Sequence, residues 1–194
     1  MYKELFSAVA IVLTFIAFFP YIRSILQGKT KPHVFSWVIW GSTTFVVFLA
    51  QLADEGGAGA WPIGVSGIIT IFVAFLAYVN KSDSSITKTD WLFFILAMSS
   101  LPFWYLTSDP LWAILILTTV DVIGFGPTFR KAYVQPFEEQ ITFYMLFVVR
   151  NSIAILALEN YSLTTVLFPA VTAIACIKLI LVITYRRRTL SLSE

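Results

Sequence analysis

Charge, cysteine and histidine are all scarce in this chain of 194 residues. Charged residues make up 12%, with 11 acidic and 13 basic side chains, and there is one cysteine and one histidine. A lone cysteine, Cys176, excludes an intrachain disulfide, and inside an apolar run it reads as a small core residue. His33 and Cys176 belong to separate segments without a cluster of ligands around either, so no metal site is expected. A net charge of +2 gives no basic patch of the kind that binds nucleic acid. The apolar segments contain no nucleophile with a neighbouring base, no paired carboxylates and no phosphate-binding loop, and Glu138 and Glu139 read as a solvated loop face. Neither an enzyme nor a bound cofactor is therefore expected.

What the chain has in excess is apolar surface. At 58% hydrophobic residues it exceeds what a soluble domain of this length could bury. A helix needs about 20 apolar residues to cross a hydrocarbon core of about 30 Å. Segments near that length lie at 4–26, 34–53, 61–79, 91–107, 111–130, 141–158 and 163–185. The expectation is an all-α membrane protein with seven transmembrane helices and the lipid bilayer as its solvent. The first apolar stretch has no basic leader and no small-residue cleavage site, so no cleavable signal is expected. Arg23, Lys29 and Lys31 follow the first segment, Lys81 and Lys88 the third, Arg130 and Lys131 the fifth, and Arg186 to Arg188 the seventh. The opposite connections, around Asp54-Glu55, Asp109 and Glu159, carry no Lys or Arg. By the positive-inside rule the N-terminus lies outside and the C-terminus inside, in a multi-pass protein of the cytoplasmic (inner) membrane.

The chain also matches itself. An offset of 107 residues places Pro20 on Pro127, Arg23 on Arg130, Trp37 on Tyr144, Trp40 on Phe147, Pro62 on Pro169 and Tyr78 on Tyr185. The segment 91–107 has no partner. Three is odd, so one extra crossing between two triplets restores their common orientation. The expected organisation is 3+1+3: a first three-helix bundle over 1–80, a loop and linker helix over 81–109, a second bundle over 110–188 and a tail over 189–194. Its two-fold axis runs along the membrane normal, as in parallel repeats. Each repeat carries a proline, Pro20 or Pro127, that removes one helical hydrogen bond and permits a hinge. Trp37, Trp40 and Thr44 share one stripe, echoed by Tyr144, Phe147 and Asn151. Trp40 and Phe147 suit facing aromatic walls around a solute, whereas Trp37 and Tyr144, in the first turns, suit an aromatic belt at the headgroups.

Pro20, Lys29 and the helix start at Phe35-Ser36 resemble the PQ-loop pattern. With the 3+1+3 plan, the chain resembles the SWEET, PQ-loop and PnuC-type transporters, and Trp37-x-x-Trp40 is similar to a feature of the last. Tyr21 and Thr128 stand where that pattern has glutamine. The resemblance implies a secondary transporter or facilitator for a small polar metabolite: a sugar, a vitamin or nucleoside, an amino acid or a carboxylate. It implies alternating access about Pro20 and Pro127. A membrane receptor that binds its ligand without moving it is the alternative on the same fold. The sequence leaves the oligomeric state undefined.

Three charges lie deep in apolar segments: Asp121, Arg150 and Lys178. Each costs about 2.5–3.5 kcal/mol at a helix centre, so such groups face a cavity or one another. Their counterparts at the 107-residue offset are Thr14, Thr43 and Ile71, so the chemistry breaks a symmetry that the prolines keep. One arrangement is structural, with Asp121 paired to Arg150 and Lys178 snorkelling to headgroups. The other is a solute path in which Asp121 takes up a proton, or Arg150 and Lys178 receive an anionic group. Two positive charges against one negative lean towards a solute with a negative group. The candidate site thus holds Asp121, Arg150, Asn151 and Lys178, with Trp40, Phe147, Thr44 and Thr14 around them. A retinal linked to Lys178 is disfavoured by the short chain, the repeat and the off-centre depth of that lysine.

Overall fold

The computed structural model describes residues 2–28, 34–80, 88–134, 136–139 and 141–191. Lys29, Lys31, His33, Lys81 and the last three residues fall outside these, as do the side chains of Pro127, Arg130, Lys131 and Glu138. The described chain is helical, without a strand. Its elements are α1 (Tyr2–Leu26), α2 (Val34–Ala53), α3 (Trp61–Val79), α4 (Lys88–Thr107), α5 (Leu111–Val134), α6 (Ile141–Leu156) and α7 (Leu163–Ser191). Short 3-10 turns occupy Gly57–Ala60 and Pro136–Glu138.

Local chemistry sets several helix ends. Gly28, at φ +68°, follows α1 and turns its N–H onto the Ile25 carbonyl at 2.9 Å, a left-handed C-terminal cap that suits glycine. Asp109 caps α5 by accepting the Leu111 N–H at 2.9 Å. Ser162 and Thr165 cap α7 reciprocally, each hydroxyl accepting the other's backbone N–H, at 3.2 and 3.1 Å. Pro62 occupies the first turn of α3, where its missing N–H costs little.

The distribution of side chains inverts that of a soluble helix. On α1 the inward face is small or polar, with Ser7, Ala10, Thr14 and Ala17 buried, while Leu5, Phe15 and Phe19 are 62%, 55% and 65% exposed. A row of large apolar groups facing outward is stable in lipid and costly in water. Among the described residues, four helical stretches are long and apolar enough to cross a membrane: α1, α2, Gly57–Val79 and α7. The apolar runs Trp91–Thr107, Leu111–Gly126 and Ile141–Leu156 are shorter. Of the seven spans expected, four are therefore met on length and composition. At about 1.5 Å per residue, the 16 residues of α6 reach only about 24 Å before the chain turns at Ala157.

α2 and α3 pack most closely. A Cβ added to Gly41 would lie 2.9 Å from the Ile71 backbone nitrogen, and one added to Gly67 would lie 3.0 Å from that of Phe45. α1 packs on α3 and α6, while α5 packs on α7 and α2. α4 lies against α5 and α2. Phe18, Ile25, Val73 and Leu76 form a core between α1 and α3. Ala132, Tyr144, Cys176, Leu179 and Ile183 form one between α5, α6 and α7.

The two ends of the bundle differ. At one end the α2–α3 and α6–α7 connections are joined: Ser162 donates to the Asp54 carboxylate, Asn160 to the Asp54 carbonyl at 3.0 Å, and the Glu159 N–H to the Gly56 carbonyl at 3.2 Å. Lys3 donates there to the Leu158 carbonyl at 2.6 Å, and the Gln51 amide to the Thr165 carbonyl at 2.6 Å. At the other end Arg187 of α7 donates to the Pro136 and Glu139 carbonyls at 3.0 and 2.7 Å, pinning the α5–α6 connection.

Candidate functional site

Arg150 sits in the middle of α6, 3% exposed. A guanidinium at that depth needs acceptors, and three neutral ones surround it. Its Nε donates to the Thr14 hydroxyl at 3.1 Å, Nη1 to Asn151 Oδ1 at 2.8 Å and Nη2 to the Pro62 carbonyl at 2.5 Å. Each acceptor is itself set. The Thr14 hydroxyl spends its proton on the Ala10 carbonyl at 2.8 Å, which leaves its lone pairs for Arg150. Asn151 donates its amide to the Phe147 carbonyl at 2.8 Å, which aims Oδ1 at the guanidinium. Arg150 also lies over the Phe147 ring, 5.7 Å from its centroid. One side chain thereby ties α6 to α1 and α3.

Beside it opens a cavity of about 600 Å³, within the range of about 300–1,000 Å³ common for small-molecule sites. Helices α1, α2, α3, α5, α6 and α7 all contribute to its wall. Asp121 faces it from α5, and neither a hydrogen bond nor an ion pair reaches this carboxylate among the described residues. Asp121 and Arg150 line one chamber without forming an ion pair with each other, so the structural pairing weighed from the sequence is not made.

The aromatic stripes meet in this chamber. Tyr21 stacks on Trp37 at 5.0 Å between centroids, Trp37 meets Trp40 edge-on at 5.7 Å, and Phe143 lies 4.6 Å from Phe147. Trp37 and Tyr144 both line the cavity, and Tyr144 is 8% exposed. Tyr144 therefore turns inward instead of joining the headgroup belt expected for it, while Trp37 is half-buried. Spacing of three residues from Trp40 and Phe147 turns them to the same cavity, with Trp40 still 39% exposed.

The other expected site residues are distributed as follows. Trp40, Phe147 and Thr44 line the cavity, as does Pro20. Thr14 and Asn151 are fully buried behind it and hold Arg150. Lys178 is exposed on α7 and takes no part in the lining. For Pro127 the helical backbone is described and the ring is not.

Glu139 is the principal residue that the sequence reading missed. Rather than joining a solvated loop face, it lines the cavity, where its carboxylate accepts the Tyr144 hydroxyl at 2.6 Å. The only sequence signal was its distance of five residues from Tyr144. Tyr21 and Thr128, one residue after each proline, also line the cavity, as do Ser66, Thr70 and Thr172. Cys176 reaches the cavity edge at 2% exposure and otherwise serves as the core residue expected. No group of three or more metal-ligating side chains occurs among the described residues. No family model, curated protein or solved structure matches the chain.

Proposed function

We propose that the protein is a secondary transporter or facilitator that moves a small polar metabolite by alternating access, without covalent chemistry on the solute. One observation carries this reading: among the described residues, the lining of the chamber that holds Asp121, Arg150 and the aromatic walls runs towards one end of the bundle. Its lining continues through Pro20, Ser24, Thr128 and Glu139, at the end where α1 and α5 finish. At the opposite end the α2–α3 and α6–α7 connections are hydrogen-bonded to one another. A carrier held open to one side has this form.

The helix contacts support a 3+1+3 organisation of seven membrane helices. Exchanging α1, α2 and α3 for α5, α6 and α7 turns the α1–α3 contact into α5–α7, α2–α3 into α6–α7 and α1–α6 into α5–α2, and every one of these contacts occurs. α4 stands outside the exchange. On that basis we read the chain as a divergent relative of the SWEET, PQ-loop and PnuC-type transporters. Pro20 and Pro127 act as its hinges. The basic loops support an orientation with this end towards the cytoplasm and the N-terminus outside, in the cytoplasmic membrane.

Reconstitution tests the reading. Purified protein in proteoliposomes should take up one of the solute classes named above, and Asp121→Asn should abolish uptake while the variant still inserts and stays monodisperse. Undiminished uptake by Asp121→Asn removes that residue from the path. A solute that binds without flux points to a receptor instead.

A further inference from the structure

We propose that the solute is a zwitterion, its ammonium group received by the Asp121 carboxylate and its carboxylate by the Arg150 guanidinium. The inference rests on the carrier reading above and gives it a substrate class.

Of the three charged residues in the lining, Glu139 accepts the Tyr144 hydroxyl, and the other two are held in a way that leaves each in need of an opposite partner. Arg150 has five N–H donors. Its three hydrogen bonds, to Thr14, Asn151 and Pro62, go to neutral acceptors and leave part of the guanidinium edge unused. Those bonds anchor it towards α1 and α3. Asp121 stands on α5, which packs on α2 and α7, and it has no partner among the described residues. Opposite charges sharing a chamber inside an apolar bundle normally close on each other, because an isolated buried ion is costly. Here the protein keeps them apart.

Each simpler solute leaves a deficit. An anion satisfies Arg150 and brings like charge near Asp121. A cation does the reverse. A neutral polyol offers hydrogen bonds and no counter-charge. A solute with an ammonium and a carboxylate answers both and adds no net charge to the chamber. Lys178, which tilted the sequence count towards an anion, is exposed on α7, outside the lining. The remaining volume, walled by Trp37, Trp40, Phe143 and Phe147, suits an apolar or aromatic side group.

Thermal unfolding of the purified protein tests this. The probes are the twenty protein amino acids, set beside neutral hexoses, nucleosides, simple amines and simple carboxylates at neutral pH. We expect at least one amino acid to raise the unfolding temperature, since a ligand of the folded state stabilises it. Removing either the amino or the carboxyl group from that amino acid should weaken binding at least tenfold. In Asp121→Asn the deaminated analogue should bind as well as the parent amino acid, which a merely structural role for Asp121 would not produce. The proposal is overturned if no amino acid binds, or if the singly charged analogues bind wild-type protein as tightly as the parent; both readouts need only the wild-type fold. Uptake of a hexose with no amino-acid effect removes the zwitterion and leaves the carrier standing. Amino-acid binding without flux removes the carrier and leaves the zwitterion site.

Discussion

Helices α1–α3 and α5–α7 follow the same order and place prolines at matching points, Pro20 with Pro127 and Pro62 with Pro169, yet they are held together by different means. In the first set, glycine does the work. Gly41, Gly64 and Gly67 bring α2 against α3, and the residues at the 107-residue offset are Val148, Val171 and Ile174. The second set is joined instead by the apolar core of Ala132, Tyr144, Cys176, Leu179 and Ile183, and it carries the charges. Asp121 and Arg150 replace Thr14 and Thr43, whose hydroxyls bond carbonyls of their own helices, Ala10 at 2.8 Å and Trp40 at 3.0 Å. One region is thus a tightly packed frame, and the other supplies the charged groups of the chamber. Arg150 bridges the two through Thr14 and Pro62.

The comparison can be broken most severely at that bridge. Arg150→Met leaves the Thr14, Asn151 and Pro62 acceptors without their donor, and should cost about 3 kcal/mol, since bonds to a charged group, worth about 1.5–3 kcal/mol each, are partly offset by the desolvation that a neutral Met does not incur. Thr43→Ala, its counterpart, should cost about 1 kcal/mol or less. Equal losses of unfolding temperature in detergent would show that the two regions do not differ as described. Next comes the glycine frame. Gly41→Val imports the residue found at the matching position of α6, and overpacking against the Ile71 backbone should cost about 1–3 kcal/mol. A native-like unfolding temperature for Gly41→Val would mean that close approach is not what binds α2 to α3.

Smaller effects sharpen the difference between the ends of the bundle. Asp54→Ala removes the acceptor for Ser162 and should cost about 1 kcal/mol. In a Thr44→Cys, Cys176→Ser background, it should also raise labelling by an impermeant maleimide applied from the Asp54 side. Unchanged labelling would separate that hydrogen bond from closure. The smallest effect on stability is expected for Pro20→Ala, within about 1 kcal/mol, because a restored bond to the Ile16 carbonyl offsets the lost rigidity of proline. Its signature is kinetic: solute uptake should fall while the unfolding temperature holds. Parallel falls in both would assign Pro20 to the frame instead of the hinge.

Much of this was legible from residue order. The helix bounds follow the apolar runs to within a few residues at most ends, because the bilayer requirement and the polar loops both act on contiguous stretches. The depths of Asp121 and Arg150 were legible for the same reason. Which groups face each other was not. Lys178 and Arg150 are both cations in apolar runs, yet one is exposed and the other is 3% exposed, because each depends on the angle at which its helix meets its neighbours. Glu139 read as loop and became cavity wall, because Arg187 folds the α5–α6 connection back onto the bundle. Tyr144 read as part of an interfacial belt, yet it is 8% exposed and donates to Glu139.

The sequence by itself determined the helical segments, the apolar character of the exterior and the presence of charge within apolar runs, since all three are properties of consecutive residues in one solvent. The tertiary structure alone decided that Thr14, Pro62 and Asn151 converge on Arg150, that Asp121 stays apart from it, and that one end of the bundle is tied while the chamber runs towards the other. Those are relations between helices far apart in the chain, and only their packing brings the groups within bonding distance.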